Sequence, residues 1–387
     1  MDGRWPALRS EGQLDAELLR IADLGLQRGQ LRWKLGSSAD APAQVEGKLN
    51  RLVVGPASAD LVELSLQGTA RAHRLTLSAD SSALPPAWLD ALGAARPATS
   101  AAAADTRTAA NGQATPTRAT LAASGGLRFA DAAAAAASGP APWAATGWRG
   151  QVQALDLRSG QAADRSLALN SRNIDVDLRW EPGQPLSLVL QPGRMLVRAG
   201  PTEAALRWSR LSWQAALPAA GGRPARPVRI DAAAELEPIA VAPLLVRLQP
   251  DFGWAGDLQV GGTLEIRTTP SLRADVVIER RRGDLSVTDE NGTQALGLTD
   301  LRLALSAEDG VWSFTQALAG STIGVAAGAV VARTGSDQAW PDARTPLQGV
   351  VELQVANLGT WGPWVPPGWR LGGALRTSAT IGGRLGA

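Results

Sequence analysis

Hydrophobic and polar residues alternate along most of this chain. Ile174, Val176, Leu178 and Trp180 are separated by Asp175, Asp177 and Arg179, and Leu186, Leu188 and Leu190 follow within a few residues. The same period recurs through Val228, Ile230, Ala232, Ala234 and Leu236, then Leu258, Val260, Leu264 and Ile266, then Leu272, Ala274, Val276 and Ile278. Leu301, Leu303 and Leu305 precede Trp312 and Phe314, and Val351, Leu353 and Val355 precede Leu371 and Leu375. Successive side chains of a strand point to opposite faces, so each run predicts a strand with one apolar and one polar face. A sheet wetted on one side favours antiparallel pairing.

The punctuation fits a meander of hairpins. Asp309-Gly310 and Asn291-Gly292 each separate two alternating runs and supply the positive φ of tight turns. Pro182-Gly183 and Pro192-Gly193 bracket the run at 186–190. Two short helices are predicted. One opens at Pro85-Pro86 and runs through Trp88, Leu89 and Leu92 to Gly93; the other opens at Pro243 and is stopped by Pro250. From 94 to 142 the chain turns to Ala, Ser, Thr, Gly and Pro, with alanine tracts at 101–104 and 132–137. Such a stretch has few large apolar groups to bury, so it reads as a low-complexity, largely disordered insert, with one strand near 121–129. The expected organisation is an N-terminal β segment with its short terminal helix over 1–93, the insert over 94–142 and a longer β segment over 143–387 that continues the first.

Composition removes most chemistry. The 387 residues include no Cys, which excludes disulfides, thiolate metal sites and thiol nucleophiles, and one histidine, His73. His73 shares parity with Leu75 and Leu77, so it belongs on the apolar face or its rim, and no Gly-x-Ser-x-Gly turn accompanies it. The ligands for a metal and the glycine-rich loop for a phosphate cofactor are missing, so no cofactor, no metal and no enzymatic activity are expected. The net charge is +2, yet the sequence pI is about 9.8. With no Tyr or Cys and only Lys34 and Lys48 as lysines, little titrates between carboxylates and guanidinium groups, and a small arginine excess sets the pI. Arginines alternate with acids and form no basic stripe, so no nucleic-acid partner is expected. The 14 Trp read as packing anchors, with an interfacial role as the other reading of an amphipathic indole. The charged first 20 residues predict neither a signal peptide nor an anchor, and the alternating run that reaches the C-terminus reads as part of a longer protein.

Several segments carry a family resemblance. Gly68-Thr69-Ala70-Arg71-Ala72-His73-Arg74-Leu75-Thr76-Leu77 and Trp148-Arg149-Gly150-Gln151-Val152-Gln153-Ala154-Leu155 resemble strand segments of the TamB family, the translocation and assembly module subunits among the AsmA-like bridge proteins. Gly253-Trp254-Ala255-Gly256-Asp257-Leu258, then Arg282-Gly283-Asp284-Leu285 with Leu296-Gly297-Leu298, and finally Gly368-Trp369-Arg370-Leu371-Gly372-Gly373 resemble further segments in the family's order. The resemblance implies an extended, twisted antiparallel β-sheet curled into a taco-like groove, in a periplasmic bridge anchored in the inner membrane of a Gram-negative envelope. It implies phospholipid transport between membranes, support of outer-membrane protein assembly and protein secretion, or both. It also implies contact with the rest of the same bridge protein and, through regions outside this segment, with an Omp85-type outer-membrane partner, TamA. The implied partner on the apolar groove is the phospholipid acyl chain. Candidate lining residues are Leu75, Leu77, Ile174, Val176, Leu178, Leu188, Val228, Ile230, Val260, Leu264, Val276, Leu303, Val351 and Leu353. Alternation says only that neighbours along a strand share a face. A structural or assembly scaffold with a closed β core remains the alternative, and periodicity alone favours it.

Overall fold

In a computed structural model the described residues are 2–4, 7–21, 24–54, 57–82, 117–129, 145–159, 167–181, 183–199, 202–219, 224–249, 253–289, 292–335, 340–365 and 368–385. They form a mainly β protein, antiparallel throughout. The chain divides into two compact units, one from Met1–Ala94, Ala102–Gly200 and Leu211–Val228, the other from Ala95–Ala101, Pro201–Arg210 and Arg229–Ala387.

The first unit holds β1 (Asp2–Arg4), β2 (Ala7–Ile21), β3 (Leu24–Leu35), β4 (Pro42–Val54), β5 (Ala57–Thr69), β6 (His73–Ser81), β7 (Thr117–Phe129), β8 (Ala145–Ser159), β9 (Leu167–Arg179), β10 (Ser187–Leu190), β11 (Gly193–Ala199) and the end of β12 (Thr202–Gln214). Each strand from β1 to β9 pairs with the next, and β9 pairs with both β10 and β11. The predicted strand near 121–129 is there and longer: β7 spans the thirteen residues Thr117–Phe129 and lies between β6 and β8. The alanine tracts and the helix expected over 85–93 fall outside the described residues.

The second unit is a meander of β13 (Arg229–Ala240), β15 (Gln259–Arg267), β16 (Arg273–Arg282), β19 (Leu298–Glu308), β20 (Val311–Gly320), β21 (Gly324–Arg333), β22 (Pro346–Val355) and β23 (Leu375–Arg384). A small sheet of β14 (Trp254–Gly256), β17 (Leu285–Asp289) and β18 (Gly292–Ala295) stands apart from it. The Asp309-Gly310 turn behaves as the sequence predicts: Glu308 faces Val311, and both turn residues have positive φ, 49° and 76°. The predicted helix at Pro243 is α1 (Ala242–Leu248), with proline in its first turn. It is the only α-helix among the described residues, which also include a 3-10 helix at Leu358–Trp364. No described helix is long and apolar enough to cross a membrane.

Candidate apolar faces

Antiparallel register turns alternation within strands into rows across the sheet, because directly opposed residues share a face. In the first unit one row runs Leu14, Leu31, Gly47, Leu64, Leu77, Leu121, Leu155. Its neighbour runs Gly12, Trp33, Val45, Leu66, Leu75, Ala123, Val152, Ile174. A third, at the opposite end of β7–β9 from Leu121, joins Leu127, Trp148, Leu178 and Leu188. The reverse face carries direct cross-strand ion pairs, Arg28–Glu17 at 2.9 Å and Lys48–Glu63 at 3.0 Å, all well exposed. Exposed pairs of this kind contribute little stability and mainly mark the wet side.

The second unit repeats the arrangement. Ala234, Leu264, Val276, Leu305, Phe314, Val330, Gly349 and Ile381 form one row, and Leu301, Leu318, Ala326 and Leu353 form part of another. Within each unit, register places the predicted lining residues on the apolar face, except Val228. That residue precedes β13 and is exposed.

The degree of covering is the informative property. Inward side chains of a closed sandwich are packed to crystal-like density and lose nearly all contact with water. Here only Ile174 and Val260 among the predicted lining residues are buried. Leu75, Leu77, Val176, Leu178, Leu188, Ile230, Leu264, Val276, Val351 and Leu353 are half-buried, and Leu303, Phe314 and Leu14 keep 39%, 37% and 53% of their surface. Two parts of the second unit differ: Ala274, Ala307, Trp312 and Ala332 form one buried cluster, and the other lies at the end that holds α1. There α1 and the small sheet form a closed cluster of Ala242, Leu258, Val260, Leu285, Val287, Leu296 and Leu298, with Leu258 fully buried.

The family-like segments prove to be clips that hold these faces. Thr69 N and Thr69 Oγ1 close the β5–β6 turn on Ala72, and Ala70 O accepts from Leu127 N of β7. His73 Nε2 accepts the indole N–H of Trp148 at 2.9 Å. Indole can only donate, so Nε2 carries the lone pair and Nδ1 donates to Thr69 O at 3.1 Å. Both ring nitrogens are thus engaged structurally, and two segments 75 residues apart meet at one bond. The Trp148 ring covers Gly125 and Gly150, where an added Cβ would come within 2.6 Å of it. In the second unit Asp284 Oδ1 accepts from Leu285 N and Leu298 N at 2.8 Å each, and Oδ2 accepts from Gly297 N at 2.9 Å. Asp257 Oδ1 in turn accepts from Asp284 N. Strand parity in the sequence gives no sign that Asp284 joins separate chain segments, since its partners Gly297 and Leu298 lie 13 and 14 residues further on.

Two carboxylates are held below the usual carboxylate range. For Asp177 the bonded Arg179 guanidinium is the chief cause; partial burial opposes it, and the charges of Arg179, Arg128 and Arg149 add to it. For Asp60 the cause is hydrogen bonding from Ser82, whose N–H sits 2.6 Å from Oδ2. A carboxyl with a lowered native pKa contributes stability that is complete above its unfolded value, about 4, and is lost as pH falls through the native value. The denaturant midpoint of the first unit is therefore expected to drop below about pH 4. In Asp177→Asn and Asp60→Asn the neutral-pH value should start lower and the drop should shrink. An unchanged pH profile in both variants would contradict this. Among the described residues no group of His, Cys, Asp or Glu is arranged to hold a metal ion.

Comparison of the chain with protein-family models, with curated proteins and with solved structures finds no match.

Proposed function

We propose that this chain is a lipid-bearing segment of a periplasmic bridge protein, carrying phospholipid acyl chains along its apolar faces. The observation that carries the reading is the set of mainly apolar rows, up to eight strands wide in the first unit, most of whose side chains stay half-exposed. Such a face is costly in water. Each acyl methylene laid against it contributes roughly 0.8 kcal/mol if fully withdrawn from water. The rows are mainly aliphatic, and their few polar members, such as His73 and Ser171, are engaged in hydrogen bonds within the protein, so lipid is free to slide and no chemical step is involved. Head groups remain in water at the strand ends, and no charge has to be buried. In this reading the segment works with the rest of its bridge protein and with an Omp85-type outer-membrane partner, TamA, as the sequence resemblance implies.

A second reading, an assembly scaffold with a filled core and no conduit, draws on the closed cluster around Leu258. The two separate cleanly. Purified protein carrying a photoreactive residue at Val176 or Leu303 is expected to crosslink phospholipid, detected by lipid mass spectrometry. The same residue at Asp175 or Arg302 on the polar faces should not. Absence of lipid at the apolar positions, with crosslinks only at the polar ones, would sink the conduit and leave the scaffold.

A further inference from the structure

We propose that Arg128, Arg149 and Arg179 form a binding site for a phosphate-class oxyanion at the end of β7–β9 in the first unit. Register aligns Arg128, Gly147 and Arg179 in one row on the polar face, so two arginines flank a position with no side chain. Arg149 lies one row further in, directly across from Asp177. Arg179 grips Asp177 through Nε and Nη2 at 3.1 and 3.0 Å, and Arg128 Nη1 reaches its two oxygens at 3.4 and 3.3 Å. Arg149 is exposed and acts on the same carboxylate through its charge. Glu181 is the other acid that acts on the cluster, through Arg179. Asp175, bonded by Gln151, is the next acid along the same face, so three guanidinium groups stand among three carboxylates and the site rests on their unused donors.

Each guanidinium has five N–H donors in a planar fork, and the bonds to Asp177 use a minority of them. The Arg128 and Arg179 side chains keep 41% and 54% of their surface, so their remaining donors are open to water on this face, and tetrahedral oxyanions are the partners that such forks fit bidentately. Among the described residues Asp231 is shared by Arg210 and Arg267 and Glu279 by Arg281 and Arg302; Asp177, shared by Arg128 and Arg179, has in addition a third arginine, Arg149, directly across from it in register. The row also lies beside the strand ends, where the reverse face carries Leu127, Trp148 and Leu178. A phospholipid straddling that rim would set its phosphate on the arginines and its acyl chains on the apolar face. This lipid version rests on the function proposed above; the oxyanion site itself does not.

The test uses the whole chain and two probes. Inorganic phosphate is titrated while the arginine Nε–Hε NMR signals are followed, and flotation is measured with phosphatidylcholine vesicles with and without phosphatidylglycerol. Phosphate is expected to shift the signals of these three arginines, and Arg128→Gln/Arg179→Gln should bind phosphate at least tenfold more weakly. Arg273→Gln, which breaks an exposed pair with Glu308 in the second unit, should bind like the parent. Asp177→Asn removes the internal competitor and should tighten phosphate binding several-fold. Shifts with phosphate and no flotation would mean a free-phosphate site. Flotation that needs phosphatidylglycerol and is lost in the double variant would assign the lipid head group. If neither probe moves these signals, or the double variant binds both as the parent does, the site is overturned, even where acyl crosslinks at Val176 uphold the conduit. Phosphate binding without such crosslinks would keep the site and remove the conduit.

Discussion

Replacing Asp284 with alanine is expected to destabilise the second unit by about 3 kcal/mol or more, among the largest effects of any single polar substitution in the protein. One carboxylate satisfies three backbone N–H groups from Leu285, Gly297 and Leu298, and its own N–H is held by Asp257. Hydrogen bonds to a charged group are worth about 1.5–3 kcal/mol each, and removing the acceptor leaves donors in a partly buried turn without a partner. The bonds stitch the start of β17 to the start of β19, next to the closed cluster that seats Leu285, Leu296 and Leu298. Asp284→Asn should cost about half as much. An amide oxygen can replace Oδ1 and its two bonds, while the amide nitrogen confronts the Gly297 N–H. Denaturant unfolding gives the energies, and hydrogen exchange at Gly297 and Leu298 gives the location. Equal stability of the alanine variant and the parent would show that water replaces the carboxylate without loss.

Asp284 also shows where sequence reasoning stops. The alternation at Leu258–Ile266, Leu272–Ile278 and Leu301–Leu305 names β15, β16 and β19 correctly, because a half-wet strand writes its two faces into its sequence. The clip between β17 and β19 leaves no such trace, since two of its donors lie 13 and 14 residues from the acceptor and all three are backbone N–H groups. Strand β7 is hard to read for a different reason. Ala119, Leu121 and Ala123 point one way and Thr120, Ala122 and Ser124 the other, so both faces are small and the contrast is weak. Three irregularities are illegible too. Leu18, Arg51 and Asn173 have φ of 53°, 50° and 54° and drop out of the pairing together with the residues opposite them, Gln27, Asp60 and Gln153, so the register is kept across each break. Such conformations favour glycine or asparagine, and leucine and arginine give no warning of them. The break at Asn173, opposite Gln153, leaves Ser171 against Leu155 and Ile174 against Val152, so residues three apart share the apolar face. The candidate lining was readable as strand parity within each run. Its partial exposure was not, because alternation is the same whether the face is covered or open.

That distinction predicts unequal costs for two truncations in the second unit. Leu258→Ala should destabilise by about 3 kcal/mol, within the range for a buried leucine whose cavity cannot collapse. Leu258 is fully enclosed by α1 and the small sheet, and both neighbours are pinned, one by proline, the other by Asp284. Phe314→Ala removes a larger side chain from the apolar face, yet it should cost only about 1 kcal/mol. Phe314 keeps over a third of its surface in water, so its loss opens no cavity and returns little apolar area. A closed sandwich reverses the order, because a buried phenylalanine costs about 3–5 kcal/mol to truncate. Adding a short-chain phospholipid should narrow the gap. Ligand that binds only the folded state raises stability by mass action, and Phe314→Ala would lose part of that gain while Leu258→Ala keeps it. A Phe314→Ala cost as large as that of Leu258→Ala, unchanged by lipid, would place a packed layer over the face and end the conduit reading for this unit.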